Sequence, residues 1–323
     1  MRTGSRTHEA AHHYTETWCK GGEIGHVVLS DGGRVRYLRV GSGPPLVLMH
    51  TVRTQLDHFQ LVIPQITDAF TVYAVDFPGM GWSDIVPGAS YQEPALRAAM
   101  VRVVEELELS NVTLAGESMG ATLALTASVD LDERVRRVVA FNTYDFAGGV
   151  KQASLFVRLV AGSIEAPVMG PIVARLETRH ILRGVLRGGV RDRRHLPAHY
   201  LDELARVGKR PGYPVVARAI LRNLDSLIAA RERYARISVP VTLVYGTHDW
   251  SRPADRQANI DSVPRARYIV LRDTGHFASL EAPHEVTRIL RGVAHERTGF
   301  RESTGNPGRT AHPPRRLAPE RRA

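Results

Sequence analysis

The chain has 323 residues, of which 43% are apolar, and 43 Lys and Arg stand against 33 Asp and Glu for a net charge of +10. That is enough chain to bury a large core and more than one ordinary domain needs. A lone cysteine, Cys19, excludes an internal disulfide framework, and neither a signal-type h-region nor a run of ~18 apolar residues is present, so a cytoplasmic protein without membrane partners is expected.

The positive charge does not argue for nucleic acid. Residues 296–323 hold seven arginines and three glutamates, a balance of +4, in a Pro-containing stretch with no apolar pattern. Forty arginines beside only Lys20, Lys151 and Lys209 mark a bias of the whole composition, and phosphate binding requires cations clustered on one folded face.

Residues 1–22 are polar and read as a disordered N-terminus; His8, His12 and His13 lack partners at metal-ligand spacing, and no metal or cofactor is expected. Two alternating runs, Val27 to Leu29 and Val35 to Leu38, flank Asp31-Gly32-Gly33 and predict a β-hairpin. Pro45 to Met49 is a continuous apolar run, the pattern of a strand buried on both faces. An amphipathic helix over Phe59 to Ile66, a strand over Thr71 to Val75, a helix over Tyr91 to Leu107 and a strand over Val112 to Ala115 then alternate as parallel βαβ units do. Strands at Val135 to Phe141, Pro240 to Tyr245 and Tyr268 to Leu271, and a closing helix from Glu285 to Ala294, bring the sheet to eight strands.

About ninety residues between Phe141 and Val239 break this rhythm. They have helical patterning punctuated by Pro167, Gly170, Pro171, Pro197, Pro211 and Pro214, and predict a helical lid inserted after the sixth strand. Arg175, Arg179, Arg183, Arg187 and Arg191 recur every four residues as a solvated lid face, while Gly184, Gly188 and Gly189 oppose one long helix. The expected organisation is therefore an α/β core over 23–144 and 236–297, a helical cap over 145–235, and a disordered Arg- and Pro-rich tail over 298–323.

Gly116-Glu117-Ser118-Met119-Gly120 lies between an apolar run and the helix-favouring Ala121 to Leu125. A strand, a tight turn and a helix are predicted, with the serine hydroxyl exposed on a strained elbow between two glycines. A serine hydroxyl needs a base within hydrogen-bond reach, and that base needs an orienting carboxylate. Asp249, after the apolar run Val241 to Tyr245, and His276, after the last strand, both fall at carboxyl ends of strands, where open α/β sheets bind ligands. Asp145, after the sixth strand, is a rival for the carboxylate; Asp273 lies too near His276 along a turn to orient it.

With these landmarks the chain resembles the α/β-hydrolases with a helical cap over about residues 24–295. The resemblance is carried, in the family's order, by Met49-His50, Asp76-Phe77-Pro78-Gly79-Met80-Gly81-Trp82-Ser83, the Ser118 elbow, Tyr245-Gly246-Thr247-His248-Asp249 and Thr274-Gly275-His276-Phe277. It implies a Ser118–Asp249–His276 catalytic triad and an oxyanion hole from the backbone N–H groups of Met119 and Val52. Asp76 to Ser83 is expected to be a structural turn beneath the site. The chain has His50-Thr51 where the family usually has His-Gly, which places a hydroxyl near the site; Thr51, Arg53 and Trp250 are candidate substrate contacts.

Dehalogenases and epoxide hydrolases of this fold carry aspartate at the elbow, so the resemblance points instead to hydrolysis of an ester, thioester, lactone or C–C bond in a small, largely apolar molecule through an acyl-enzyme. The alternatives are a lyase resembling the hydroxynitrile lyases, some of which also have threonine after that histidine, and a non-catalytic receptor for a small ligand. Oligomeric state is not legible in the sequence.

Overall fold

The computed structural model describes residues 14–149, 155–165, 178–263 and 265–295. Eight strands form one sheet: β1 (Glu23–Val28), β2 (Arg34–Gly41), β3 (Pro45–Met49), β4 (Thr71–Val75), β5 (Val112–Glu117), β6 (Val135–Phe141), β7 (Val241–Gly246) and β8 (Arg267–Leu271). Their order across the sheet is β1-β2-β4-β3-β5-β6-β7-β8. The β1–β2 hairpin and the β2–β4 pair are antiparallel; every pairing from β4 to β8 is parallel. Gly32, at φ 81°, takes the left-handed backbone of the hairpin turn.

Every residue of β5 and of β7 is buried, because helices cover both faces of the parallel region. Successive residues serve opposite faces: Val47 and Met49 join the core under α1 (Glu93–Glu106) and α2 (Met119–Leu131), while Leu46 and Leu48 join a second core. That second core also takes in Leu56 and Phe59 and the apolar face of the C-terminal helix, Val286, Ile289, Leu290 and Val293. β4 and β5 leave β3 on opposite sides, so the loops after β3 and β5 diverge and leave a crevice at the carboxyl ends of the strands.

Between β6 and β7 stand α3 (Leu155–Glu165), α4 (Arg179–Arg187), α5 (Ala198–Gly208) and α6 (Tyr213–Arg222), the inserted helical lid. α7 (Pro253–Ser262) and α8 (Pro283–His295) complete the body. Of the arginine period, Arg179, Arg183 and Arg187 lie on α4, which contains Gly184 and is capped by Gly188, and Arg191 follows the glycines; Arg175 lies outside the described residues. Leu182, Leu186, Tyr200 and Leu204 of the lid form a core with Phe277 and Leu280 of the body. The lid is thus packed onto the loop that carries His276.

Two local expectations change. Residues 59–66 form 3-10 turns, Leu56–Phe59 and Ile63–Gln65, in place of an amphipathic helix; Pro64 has no N–H with which to continue a helical ladder. Residues 14–22, expected within a disordered terminus, are instead docked. Residues 14–18 are helical, Cys19 is buried, and the Thr15 hydroxyl and Trp18 indole N–H donate to Asp57 Oδ1 at 2.8 and 2.7 Å. A fully buried carboxylate requires such donors, and only the folded chain reveals that Asp57 is one. Residues 1–13, with His8, His12 and His13, and the arginine-rich tail lie outside the described residues.

Candidate active site

Ser118 stands between β5 and α2 at φ 59°, ψ −119°, a backbone state that L-residues rarely adopt. The neighbouring chain compels this turn. A Cβ on Gly116 would come within 2.4 Å of the Gly120 backbone, and one on Gly120 within 2.1 Å of the Met49 carbonyl oxygen. The glycines of the motif therefore serve close approach between the elbow and the end of β3. Strain at one well-packed non-glycine residue is characteristic of functional positions.

The structure brings Ser118, His276 and Asp249 together. Ser118 Oγ is 2.8 Å from His276 Nε2, and His276 Nδ1 is 2.5 Å from Asp249 Oδ1. With the carboxylate accepting from Nδ1–H, Nε2 is left to accept the serine proton. Burial opposes ionisation of Asp249, but His276, the Ser251 hydroxyl and Arg256 outweigh it and hold the carboxyl below its ordinary range. Both Ser251 N–H, at 3.1 Å, and Ser251 Oγ–H donate to Asp249 Oδ2. Arg256 Nε lies 3.0 Å from Ser251 Oγ, and its Nη2 donates to the Ser251 carbonyl at 2.9 Å.

The rivals are elsewhere. Asp145 is fully buried and accepts from Tyr234 Oη at 2.6 Å, Asn259 Nδ2 at 2.9 and 3.0 Å and Thr143 Oγ1 at 3.0 Å. Asp273 is exposed and paired with Arg191. Asp76 Oδ1 accepts the Leu56 N–H at 2.7 Å, and its Oδ2 accepts Trp82 N–H at 2.8 Å and Arg36 Nε at 2.7 Å. This carboxylate pins the turn to the β3 loop.

Met119 heads α2, where the first N–H groups have no preceding turn to bond. Val52, on the loop after β3, lines the same cleft as Ser118. Thr51 is buried beside it, and its carbonyl accepts from His50 Nδ1 at 2.7 Å and from Thr54 Oγ1 at 2.9 Å. The positive φ in this loop falls on Arg53, at 62°, and Thr51 is accommodated without one. Burial pushes the His50 imidazole down to about 4, so its Nε2 remains free to accept Phe77 N–H at 3.1 Å. Arg53 lines the cleft with its guanidinium over the Tyr213 ring of α6, 4.9 Å from the centroid.

The cleft above Ser118 measures about 620 Å³ to its open mouth. Its floor is Thr51, Val52 and Ser118; its walls are Val157, Val160, Ala161 and Ile164 of α3, Val185 and Leu186 of α4, and Tyr144, Leu221, Trp250 and Phe277. Ser118 is 1% exposed, so the hydroxyl expected at an open surface is reached only beneath the lid. Trp250, expected as a substrate contact, also stacks on the His276 ring, with centroids 3.8 Å apart and planes at 11°. Among the described residues no three His, Cys, Asp or Glu side chains are grouped to hold a metal, and no helix is long and apolar enough to cross a membrane.

Sequence reasoning missed several supporting groups. Ser251 had a signal, since a serine two residues after an aspartate favours a local side-chain turn. Asn142 had none: its Nδ2 donates to the Gly275 and His276 carbonyls at 3.1 and 2.9 Å, and its Oδ1 accepts Gly246 N–H at 2.8 Å. Glu117 Oε2 accepts from Ser279 N–H and Oγ–H at 3.0 and 2.5 Å and lies 3.3 Å from His58 Nε2, which ties the elbow to the His276 loop.

Residues 44–283 match the family model of the alpha/beta hydrolase fold, and the chain belongs to that family. Among curated proteins it is similar to haloalkane dehalogenase 2 of Mycobacterium tuberculosis, 26% identical over 267 residues that cover 81% of this chain and 91% of the relative. A crystal structure of a haloalkane dehalogenase from Agrobacterium tumefaciens superposes with a TM-score of 0.76 at 20% identity, covering 87% of this chain and 99% of that one. A Bacillus subtilis carboxylesterase superposes at 0.69 and 19%, covering 90% and 97%. The two structures share the fold, and the family supports hydrolase chemistry in general.

Proposed function

We propose that the protein is a serine hydrolase that cleaves an ester, thioester, lactone or C–C bond of a small, largely apolar molecule through an acyl-enzyme, with Ser118 as nucleophile, His276 as base and Asp249 as its orienting carboxylate. The observation that carries this reading is the unbroken chain Ser118 Oγ, His276 Nε2, His276 Nδ1, Asp249 Oδ1 at 2.8 and 2.5 Å on the floor of an apolar cleft. As Oγ bonds to the carbonyl carbon, its proton passes to Nε2 and the carbonyl π pair moves onto oxygen, where the N–H groups of Met119 and Val52 receive it. The intermediate collapses as the imidazolium returns the proton to the leaving group; water, activated by the same base, then opens the acyl-serine.

The elbow residue separates this reading from the activity named for the dehalogenase relatives. Displacement of halide by a carboxylate forms an ester, which water can open at its carbonyl. Displacement by Ser118 would form an ether, which has no carbonyl to attack and would leave the enzyme alkylated. The cleft walls favour an apolar acyl or alcohol group by burial, at roughly 25 cal/mol per Å² removed from water.

Treatment with a fluorophosphonate followed by peptide mapping tests the assignment: the adduct is expected on Ser118 and absent in Ser118→Ala. An activated aryl ester should give a burst of product equal to the enzyme present. Absence of both adduct and burst would replace the hydrolase reading with that of a ligand receptor.

A further inference from the structure

His276 is held from more directions than proton transfer requires. Its ring lies between Asp249 and Ser118 at the edges, and one face is covered by the Trp250 indole at 3.8 Å and 11°. The indole is itself oriented, because its Nε1–H donates to the Gly188 carbonyl at 2.9 Å. The next carbonyl, that of Gly189, accepts the backbone N–H of His276 at 2.7 Å and of Phe277 at 3.1 Å. Gly188 and Gly189 directly follow α4, whose Val185 and Leu186 line the cleft.

Close packing gives this junction little freedom. A Cβ on Gly189 would lie 2.3 Å from the Phe277 ring, and one on Gly275 would lie 2.7 Å from the Gly189 oxygen. Glu281 closes the contact: Oε2 accepts Gly275 N–H at 2.6 Å and Oε1 accepts Asp192 N–H at 2.7 Å. Lid and histidine loop are therefore hydrogen-bonded as one unit.

Building on the proposed hydrolase mechanism, we propose that Trp250 is a positioning residue that the lid holds against His276, keeping the imidazole in line with both Ser118 and Asp249. An aromatic face stacked on the ring restricts rotation about the side chain's torsions, and its negative quadrupole favours the imidazolium formed during acyl transfer. Trp250 acts through His276: the stacked face does the aligning, and the bond to Gly188 adds to the seating of the indole.

Trp250→Leu removes the stack, and Trp250→Phe restores an aromatic face without the N–H. On an activated ester, Trp250→Leu is expected to lower kcat by about ten-fold with KM little changed, from the typical worth of such a ring contact, and Trp250→Phe to recover most of it. Melting temperatures of both variants identify any loss due to unfolding. A kcat equal to wild type in Trp250→Leu, or a change confined to KM, would make Trp250 only a cleft wall and overturn the proposal. So would a folded Trp250→Phe as slow as Trp250→Leu. A second readout does not depend on turnover: the His276 Cε1–H resonance, assigned by its loss in His276→Gln, should lie upfield of its position in Trp250→Leu because of the indole ring current. Equal positions overturn the proposal. If the wild type neither labels at Ser118 nor cleaves any acyl substrate while the upfield shift is present, the hydrolase reading fails and the lid-held stack stands.

Discussion

Asp145 and Asp249 leave the carboxyl ends of neighbouring strands, β6 and β7, and both are buried, yet their surroundings drive them in opposite directions. Asp145 sits in a closed cage of Tyr234, Asn259 and Thr143, where burial outweighs these donors and the charge of Arg231 and pushes its carboxyl above the ordinary range. At Asp249 burial works the same way, but the imidazole, the Ser251 hydroxyl and nearby Arg256 prevail and hold it below that range. Burial alone therefore does not set the direction of the shift; at Asp249 the directly bonded imidazole tips the balance. Asp249 reaches the imidazole and can orient it, whereas Asp145 is bonded to Asn259 of α7 and braces β6 against that helix.

The sharpest test of that contrast exchanges each carboxylate for its amide. Asp249→Asn should lower kcat on an activated ester by about 10⁴-fold, because the amide favours the wrong imidazole tautomer, while Asp145→Asn should leave turnover near wild type. The opposite ranking would transfer the orienting role to Asp145. Thr51→Gly should follow with a smaller loss, at most the value of one oxyanion donor, ~2.7–4 kcal/mol in the barrier, since Thr51 shapes the loop that presents Val52. Cyanohydrin cleavage faster than that of any ester in the wild type, removed by Thr51→Gly and proceeding without an acyl intermediate, would favour lyase chemistry.

Two smaller effects concern stability against pH. The folded-state value of Asp145 is raised, so its contribution is full at low pH and is lost as the pH rises through that value; melting curves of Asp145→Asn should lack this decline. His50 behaves in the reverse sense. Its value falls from 6.5 to about 4 on folding, so below 6.5 the unfolded chain takes up the proton first and stability is lost as the pH drops toward 4, by up to about 3 kcal/mol. Denaturant titrations of wild type and His50→Gln across that window should differ in slope, and parallel slopes would show that the imidazole remains accessible to protons.

Much of this protein is legible before folding. Apolar runs without alternation announced the buried parallel strands, the glycines around Ser118 announced the elbow, and the order of Ser118, Asp249 and His276 announced which side chains the structure brings together. These signals survive in sequence because each depends on a few adjacent residues: a period of two, a turn that admits no Cβ, a polar group at a strand end. Tertiary structure decided the rest. It placed Asp249, and not Asp145, against the His276 ring, docked Thr15 and Trp18 on Asp57, stacked Trp250 on His276 and joined Gly189 to the histidine loop. Those outcomes rest on contacts between residues tens to more than a hundred positions apart, whose partners are set only when lid and sheet close on each other, so no local pattern can encode them.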